Sequence, residues 1–218
     1  MTRQNKTYEK IWDTKLLKEG NVPFQKKQPD IEVVKFLKTC NNQGKVLDIG
    51  CGAGRHCKIF ADKGHLVTGF DFSKNAIKLA KSWVENADFK VGSVFDYNDG
   101  EQYDYIIDYG CLHHIQKSNW SKYKKTILKH SKSGTKLFLF AFADDSMYIK
   151  DHKLTKYEKK MKYSIYEADY CHFFSKKEIR ELFKEFKIYF HNIKKTLGKN
   201  TSFHTFYLER VWLGKVFF

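Results

Sequence analysis

Proline and arginine are scarce in this chain: there are two prolines in 218 residues, and four arginines beside 36 lysines. The shortage of arginine weakens the case for a nucleic-acid surface, because the guanidinium is the group that forks onto base edges and phosphates. The net charge of +15 is therefore read mainly as a lysine-rich composition, with nucleic acid as the alternative partner. No apolar run approaches the roughly 18–20 residues of a membrane helix, so no membrane partner is expected. The start, Met1-Thr2-Arg3-Gln4-Asn5-Lys6, leads into no hydrophobic segment of the secretory kind. The cysteines at 40, 51, 57, 111 and 171 are odd in number and lack any C-x-x-C spacing. That argues against a disulfide framework and against a metal site built from Cys51, Cys57, Cys111, His113 and His114. No metal is expected, and a reducing cytoplasm is the simplest setting.

What is present suits one α/β domain over residues 1–218 with a sizeable core, since 42% of the chain is hydrophobic. Strands are expected at Lys45–Ile49, His65–Phe70, Phe89–Val91, Tyr103–Ile107 and Lys136–Phe142. Helices are expected to begin near Pro29, near Gly54 (burying Ile59 and Phe60 and stopping at Gly64), at Ser73 (through about Val84) and at Trp120 (to His130). Ser175-Lys176-Lys177-Glu178 reads as a capping box opening a helix that buries Ile179, Leu182, Phe183 and Phe186. Strands near Lys187–Ile193 and Phe203–Trp212 are joined by a connection too short for a parallel crossover. The alternation predicts a Rossmann-like, doubly wound, mostly parallel seven-stranded sheet with an antiparallel last strand. Residues 1–40 read as a helical lid segment, and 144–170 as an insertion over a substrate pocket.

The chemistry gathers at Asp48-Ile49-Gly50-Cys51-Gly52-Ala53-Gly54. A buried strand runs into a glycine-rich turn where a ligand can approach the backbone, and a helix follows. A dinucleotide fingerprint would need a third glycine where Arg55 stands. The tighter spacing points to S-adenosylmethionine rather than NAD. In an open α/β sheet the ligand lies beyond the carboxyl ends of the strands. Three further groups are expected there. Asp71, at the end of the second strand, can accept from both ribose hydroxyls. Asp96 can accept from the adenine amino group, with Phe72, Val94 and Phe95 beside the ring. Asp108 and Tyr109 would stand near the methionine amino group and the sulfonium.

The runs VLDIGCGAGRH (46–56), HLVTGFDFS (65–73), VFDYN (94–98) and YDYIIDYGCLHHI (103–115) resemble class I S-adenosylmethionine-dependent methyltransferases. Within that class the chain looks most like the thiopurine S-methyltransferase, tellurite-resistance and thiol/halide methyltransferase subgroup. Trp12-Asp13, Gly20 and Pro23-Phe24 look like that subgroup's lid, which implies that Trp12 folds over the cofactor. Leu16 departs from the aromatic residue often found there. The resemblance implies methyl transfer to a small-molecule acceptor, at sulfur or another soft atom, by a monomer or homodimer. The alternative is an RNA or other nucleic-acid methyltransferase using the carboxylate-free, lysine-rich run Tyr109–Ala143. A non-catalytic cofactor-binding module is a third reading.

Some acceptors are disfavoured by what the resemblance would require. The place after the fourth strand reads Asp108-Tyr109-Gly110-Cys111 rather than the Asn-Pro-Pro-aromatic motif of DNA amine methylation. The chain has no Pro-Cys pair for cytosine-C5 chemistry. No carboxylate stands between Asp108 and Asp144 to supply the paired glutamates of arginine methylation or a magnesium site. His113 and His114 are the candidate bases, because an imidazole titrates near neutrality. His172 and His204 are weaker candidates, and Cys111 is a candidate lining residue.

Overall fold

The computed structural model describes Glu9, Trp12 and residues 27–145, 163–164, 170–195 and 201–211. Asp30 caps α1 (Ile31–Leu37) by accepting from the Glu32 amide, one residue after Pro29. The chain then alternates: β1 (Lys45–Ile49), α2 (Arg55–Ala61), β2 (Leu66–Asp71), α3 (Lys74–Lys81), β3 (Ala87–Val91), β4 (Tyr103–Tyr109), α4 (Trp120–Lys129) and β5 (Ser131–Phe142). Two short strands, β6 (Tyr163–Ser164) and β7 (Cys171–His172), pair with each other. After α5 (Lys176–Leu182) come β8 (Phe186–Lys195) and β9 (Ser202–Arg210).

The main sheet has seven strands in the order β3-β2-β1-β4-β5-β9-β8. β1 to β5 run parallel, β9 is antiparallel to β5, and β8 is antiparallel to β9. This is the expected doubly wound sheet with its antiparallel last strand. The order reverses between β1 and β4, which opens a crevice at their carboxyl ends. Leu47, Ile106, Leu139 and Leu208 pack on one face with Tyr123 and Ile127. Val46, Ile107, Phe138 and Tyr207 pack on the other with Phe36, Cys57 and Phe60. Burial on both faces explains the unbroken apolar reading of Leu137–Ala141.

Several boundaries differ from expectation. α2 ends at Ala61, and its buried face is His56, Cys57 and Phe60, with Ile59 half-buried. α3 starts at the Ser73 cap as expected but stops at Lys81, and its Ser82 hydroxyl turns back onto the Leu79 carbonyl. β5 begins five residues before Lys136, because Ser131 pairs with Tyr103 across an irregularity in β4. The capping box is present, with the Ser175 hydroxyl accepting from the Glu178 amide, but α5 ends at Leu182, which is half-buried, and Phe186 opens β8 instead of extending the helix face. Most of the 144–170 insertion lies outside the described residues, as do Asp13, Leu16, Gly20, Pro23, Phe24 and Trp212. Among the described residues no helix is long and apolar enough to cross a membrane.

Behind the carboxyl end of β4, the Tyr123 hydroxyl of α4 donates to Asp108 Oδ2 at 2.6 Å, inside the core. Tyr123→Phe removes that donor and leaves a buried carboxylate oxygen short of a partner. The expected loss is about 1–3 kcal/mol of stability, read by urea denaturation.

Candidate functional site

The turn after β1 is set by three glycines in the left-handed region: Gly50 at φ 65°, Gly52 at φ 54° and Gly54 at φ 77°. Each also lies against a neighbour. A Cβ on Gly50 would stand 3.2 Å from Cys111 Cβ, and one on Gly54 would stand 2.8 Å from the Phe89 ring. At Gly52 the neighbour is the indole of Trp12, 2.7 Å from where a Cβ would be. Trp12 is thus laid directly on the turn, and the Asn75 side-chain amide donates to the Glu9 carbonyl at 3.1 Å. The turn is braced from below as well. The Trp83 indole N–H donates to the Ala53 carbonyl at 2.7 Å, and Cys51 packs among Cys57, Gly69 and Phe89.

Asp71 ends β2 beside this turn. Its Oδ2 accepts from the Gly52 amide at 3.0 Å and its Oδ1 from the Ser73 amide at 2.9 Å. Burial pushes its pKa up to about 6, against the lowering effect of those two amides. Asp48, within β1, is buried beneath the turn and accepts from Cys57 Sγ at 3.2 Å. Burial, with help from Asp108, raises it to about 7. Past β3, Val94 is half-buried while Phe95 and Asp96 are exposed. Phe72, next to Asp71 in sequence, is half-buried.

At the end of β4 the strand alternation separates two predicted neighbours. Asp108 turns inward, where its carboxylate accepts from the Cys111 amide at 2.8 Å, the Leu112 amide at 3.1 Å and the Tyr123 hydroxyl. Burial raises it to about 6, with those donors opposing. Tyr109 turns to the opposite face. Its hydroxyl donates to Asp30 Oδ2 at 2.8 Å, and its ring stacks on Phe140 under the Arg55 guanidinium. Asp30 also holds Lys194 at 2.9 Å.

The histidines follow on a short 3₁₀ turn, Leu112–His114. His113 Nε2 and His114 Nε2 are 3.1 Å apart, and His114 Nδ1 lies 3.2 Å from the Tyr170 carbonyl. His113 is buried, and its Nδ1 has no hydrogen-bond partner. Burial, with His114 alongside, holds it well below the ordinary histidine range, so the ring is neutral at neutral pH. Cys111 is held protonated by burial near Asp108.

The weaker histidine candidates are committed elsewhere. His172 Nε2 meets Glu178 at 3.2 Å, and His204 bridges His191 at 2.9 Å and the Phe174 carbonyl at 2.9 Å. Trp83, Asp30, Lys194 and the Tyr170 carbonyl were not found from the sequence. Their contacts span 30 residues or more, and no local spacing signals them.

This arrangement can be set beside known proteins. A 2-heptyl-1-hydroxyquinolin-4(1H)-one methyltransferase of Mycobacteroides abscessus is 28% identical over 127 residues, covering 55% of this chain and 56% of that protein. The chain thus spans little more than half the length of that relative. The crystal structure of Burkholderia thailandensis 1,6-didemethyltoxoflavin-N1-methyltransferase, with bound 1,6-didemethyltoxoflavin and S-adenosylhomocysteine, superposes with a TM-score of 0.72 at 16% identity, over 97% of this chain and 92% of that one. TehB from Haemophilus influenzae superposes with a TM-score of 0.64 at 21% identity, over 84% of this chain and 62% of that one. These likenesses show the fold. The profile described as "Methyltransferase domain" matches residues 24–187, the greater part of the sequence. The chain therefore belongs to the methyltransferase domain family, the S-adenosylmethionine-dependent methyltransferases of Rossmann-like fold.

Proposed function

We propose that this protein binds S-adenosylmethionine along the carboxyl edge of β1 to β4 and transfers its methyl group to a small-molecule acceptor. The observation that carries the reading is the Gly50–Gly54 turn, tied to Asp71 and overlain by Trp12. The residues fit the cofactor. The glycine turn is a cradle that side chains would fill, Asp71 stands where ribose hydroxyls need an acceptor, and Asp96 is exposed beside Phe95 for the adenine edge. Phe72 and Val94, both half-buried, are assigned to the faces of the ring, and Cys51 to the turn. Asp48, Asp108 and Tyr109 act from behind, by holding the strand ends. Trp12 against Gly52 and the Tyr170 carbonyl at His114 support a covered site, with one contact from each of the segments read as lid and insertion.

When bound, the cofactor supplies a methyl group on a positively charged sulfur; the acceptor's lone pair forms the new bond to carbon, and the electron pair of the broken carbon–sulfur bond stays on sulfur. Positioning and exclusion of water supply much of the rate, which suits a buried crevice under a lid. A small-molecule acceptor is supported by a relative named for 2-heptyl-1-hydroxyquinolin-4(1H)-one and a structural neighbour named for 1,6-didemethyltoxoflavin. The likeness to TehB supports the subgroup reading, in which the acceptor atom is sulfur or another soft atom. His113 and His114 widen that range to acceptors that must shed a proton.

Incubation with methyl-labelled cofactor and a panel of thiols, phenols and heterocyclic amines tests the activity, and binding without turnover on any of them would count against it. Gly52→Val is expected to abolish cofactor binding in calorimetry, because the new side chain meets Trp12 on a backbone that valine resists. Asp71→Asn is expected to weaken it by about 1.5–3 kcal/mol, the scale of a hydrogen bond to a charged group. Unchanged affinity in both variants would place the cofactor elsewhere.

The same carboxylates set a pH dependence. In the free protein they are protonated below about 7 for Asp48 and about 6 for Asp71 and Asp108. A cationic ligand prefers them ionised. Affinity for S-adenosylmethionine is therefore expected to be full above that range and to fall as the pH drops through it, by up to about tenfold per unit for each coupled group. Asp71→Asn should flatten the part of the curve near pH 6. A curve in the wild type that is level through this range would contradict the assignment.

A further inference from the structure

The histidine pair reads further than a bare candidacy. His114 Nδ1 lies 3.2 Å from the Tyr170 oxygen and 3.5 Å from Cys171 Sγ; the carbonyl can only accept and is the stronger acceptor, so this nitrogen carries the proton in the neutral ring. His114 Nε2 is then a lone pair. It accepts from His113 Nε2–H across 3.1 Å. This leaves His113 Nδ1 as a lone pair, and it is the buried nitrogen without a partner. A buried unsatisfied acceptor costs stability unless something comes to meet it.

The surroundings of that nitrogen are flat and aromatic. The His113 ring lies 4.3 Å from the Phe142 ring, Phe142 stacks on Phe203 at 4.7 Å, and Phe203 stacks on Phe140 at 4.6 Å. Phe142 and Phe203 are half-buried and stand at the carboxyl end of β5, one strand from the end of β4. Cys111, two residues before His113, packs against Gly50, so this wall adjoins the glycine turn.

We propose that His113 Nδ1 is the base of the transfer, and that the acceptor is a planar aromatic compound bearing an O–H or N–H, seated against Phe142 and Phe203. The inference rests on the methyltransferase reading of the site. His113 Nδ1 takes the proton, the bonding pair stays on the acceptor's oxygen or nitrogen, and that pair makes the bond to the methyl carbon. The Nε2 proton of His113 shifts to His114 Nε2, so the charge passes from a buried ring to a half-buried one. The Tyr170 carbonyl acts as a positioning group, since it fixes which nitrogen is bare.

Three measurements on the full chain decide it. With S-adenosylhomocysteine bound, ¹⁵N NMR of the imidazoles is expected to show His113 protonated at Nε2 and bare at Nδ1. In the same complex, 2-naphthol is expected to bind at least about tenfold more tightly than its saturated counterpart decahydro-2-naphthol, as stacking requires. With S-adenosylmethionine, His113→Gln is expected to lose about 10²–10⁴-fold in methylation of 2-naphthol, while 2-naphthalenethiol, which ionises unaided, changes by less than about threefold. A proton on His113 Nδ1, no preference for the flat ring, no binding of 2-naphthol, or equal losses on both acceptors overturns the inference. If S-adenosylhomocysteine itself fails to bind the wild type in calorimetry, the methyltransferase reading falls and takes the inference with it. Normal binding of that compound alongside any of the other failures overturns the inference alone.

Discussion

The hydrogen bond from the Gly52 amide to Asp71 Oδ2 ties the site to the sheet. It joins the turn after β1 to the last residue of β2, so the position of the cradle is dictated by strand pairing rather than by the loop's own preferences. Gly52 can make the bond because its φ of 54° aims the amide sideways, and because it has no Cβ to meet Trp12. The other oxygen of Asp71 takes the Ser73 amide, which fixes the approach to α3. One carboxylate thus registers turn, strand and helix together, and Trp83 returns from the end of that helix to hold Ala53.

Parallel strands place their carboxyl ends on one edge, and this chain puts acids close to that edge on β1, β2 and β4. Asp48, Asp71 and Asp108 are each buried, and each has its pKa raised, chiefly by lost hydration. Neighbouring amides and hydroxyls offset only part of that cost. A crevice of this kind has its lowest energy with a positive charge nearby, and the sulfonium and amino groups of S-adenosylmethionine would provide two. The lysine-rich exterior therefore says little about the interior, whose local field has the opposite sign.

Most of the framework was legible in the residues. β1 stands at Lys45–Ile49 as its apolar run implied, and the Ser73 and Ser175 caps open the helices they were expected to open. These signals are local, being carried by a hydroxyl and an amide three residues apart, or by alternation within one strand. The glycine turn and Asp71 were legible for the same reason, as spacing within one β-α-β unit. What escaped depends on contacts between distant segments. Nothing near Trp83 announces that its indole will reach Ala53, and nothing near Asp30 announces Tyr109 or Lys194. The expectation that Asp108 and Tyr109 act side by side treated neighbours in sequence as neighbours in space, whereas a strand sends them to opposite faces.

That separation explains why the run Asp108-Tyr109-Gly110-Cys111-Leu112-His113-His114 has its form. Asp108 catches the Cys111 and Leu112 amides and so curls the chain into a 3₁₀ turn immediately after the strand. Gly110, at φ 89°, permits the reversal, and its missing Cβ leaves room for the His113 ring, whose Cε1 lies 3.2 Å from where that atom would be. The curl carries His113 back over Phe142, next along the same face of β5 from Phe140, on which Tyr109 stacks. Asp108 thus aims the bare nitrogen without touching it, which gives this carboxylate work to do even though its oxygens are already taken. An uncurled chain would send both histidines along the strand direction, away from the turn that Asp71 holds.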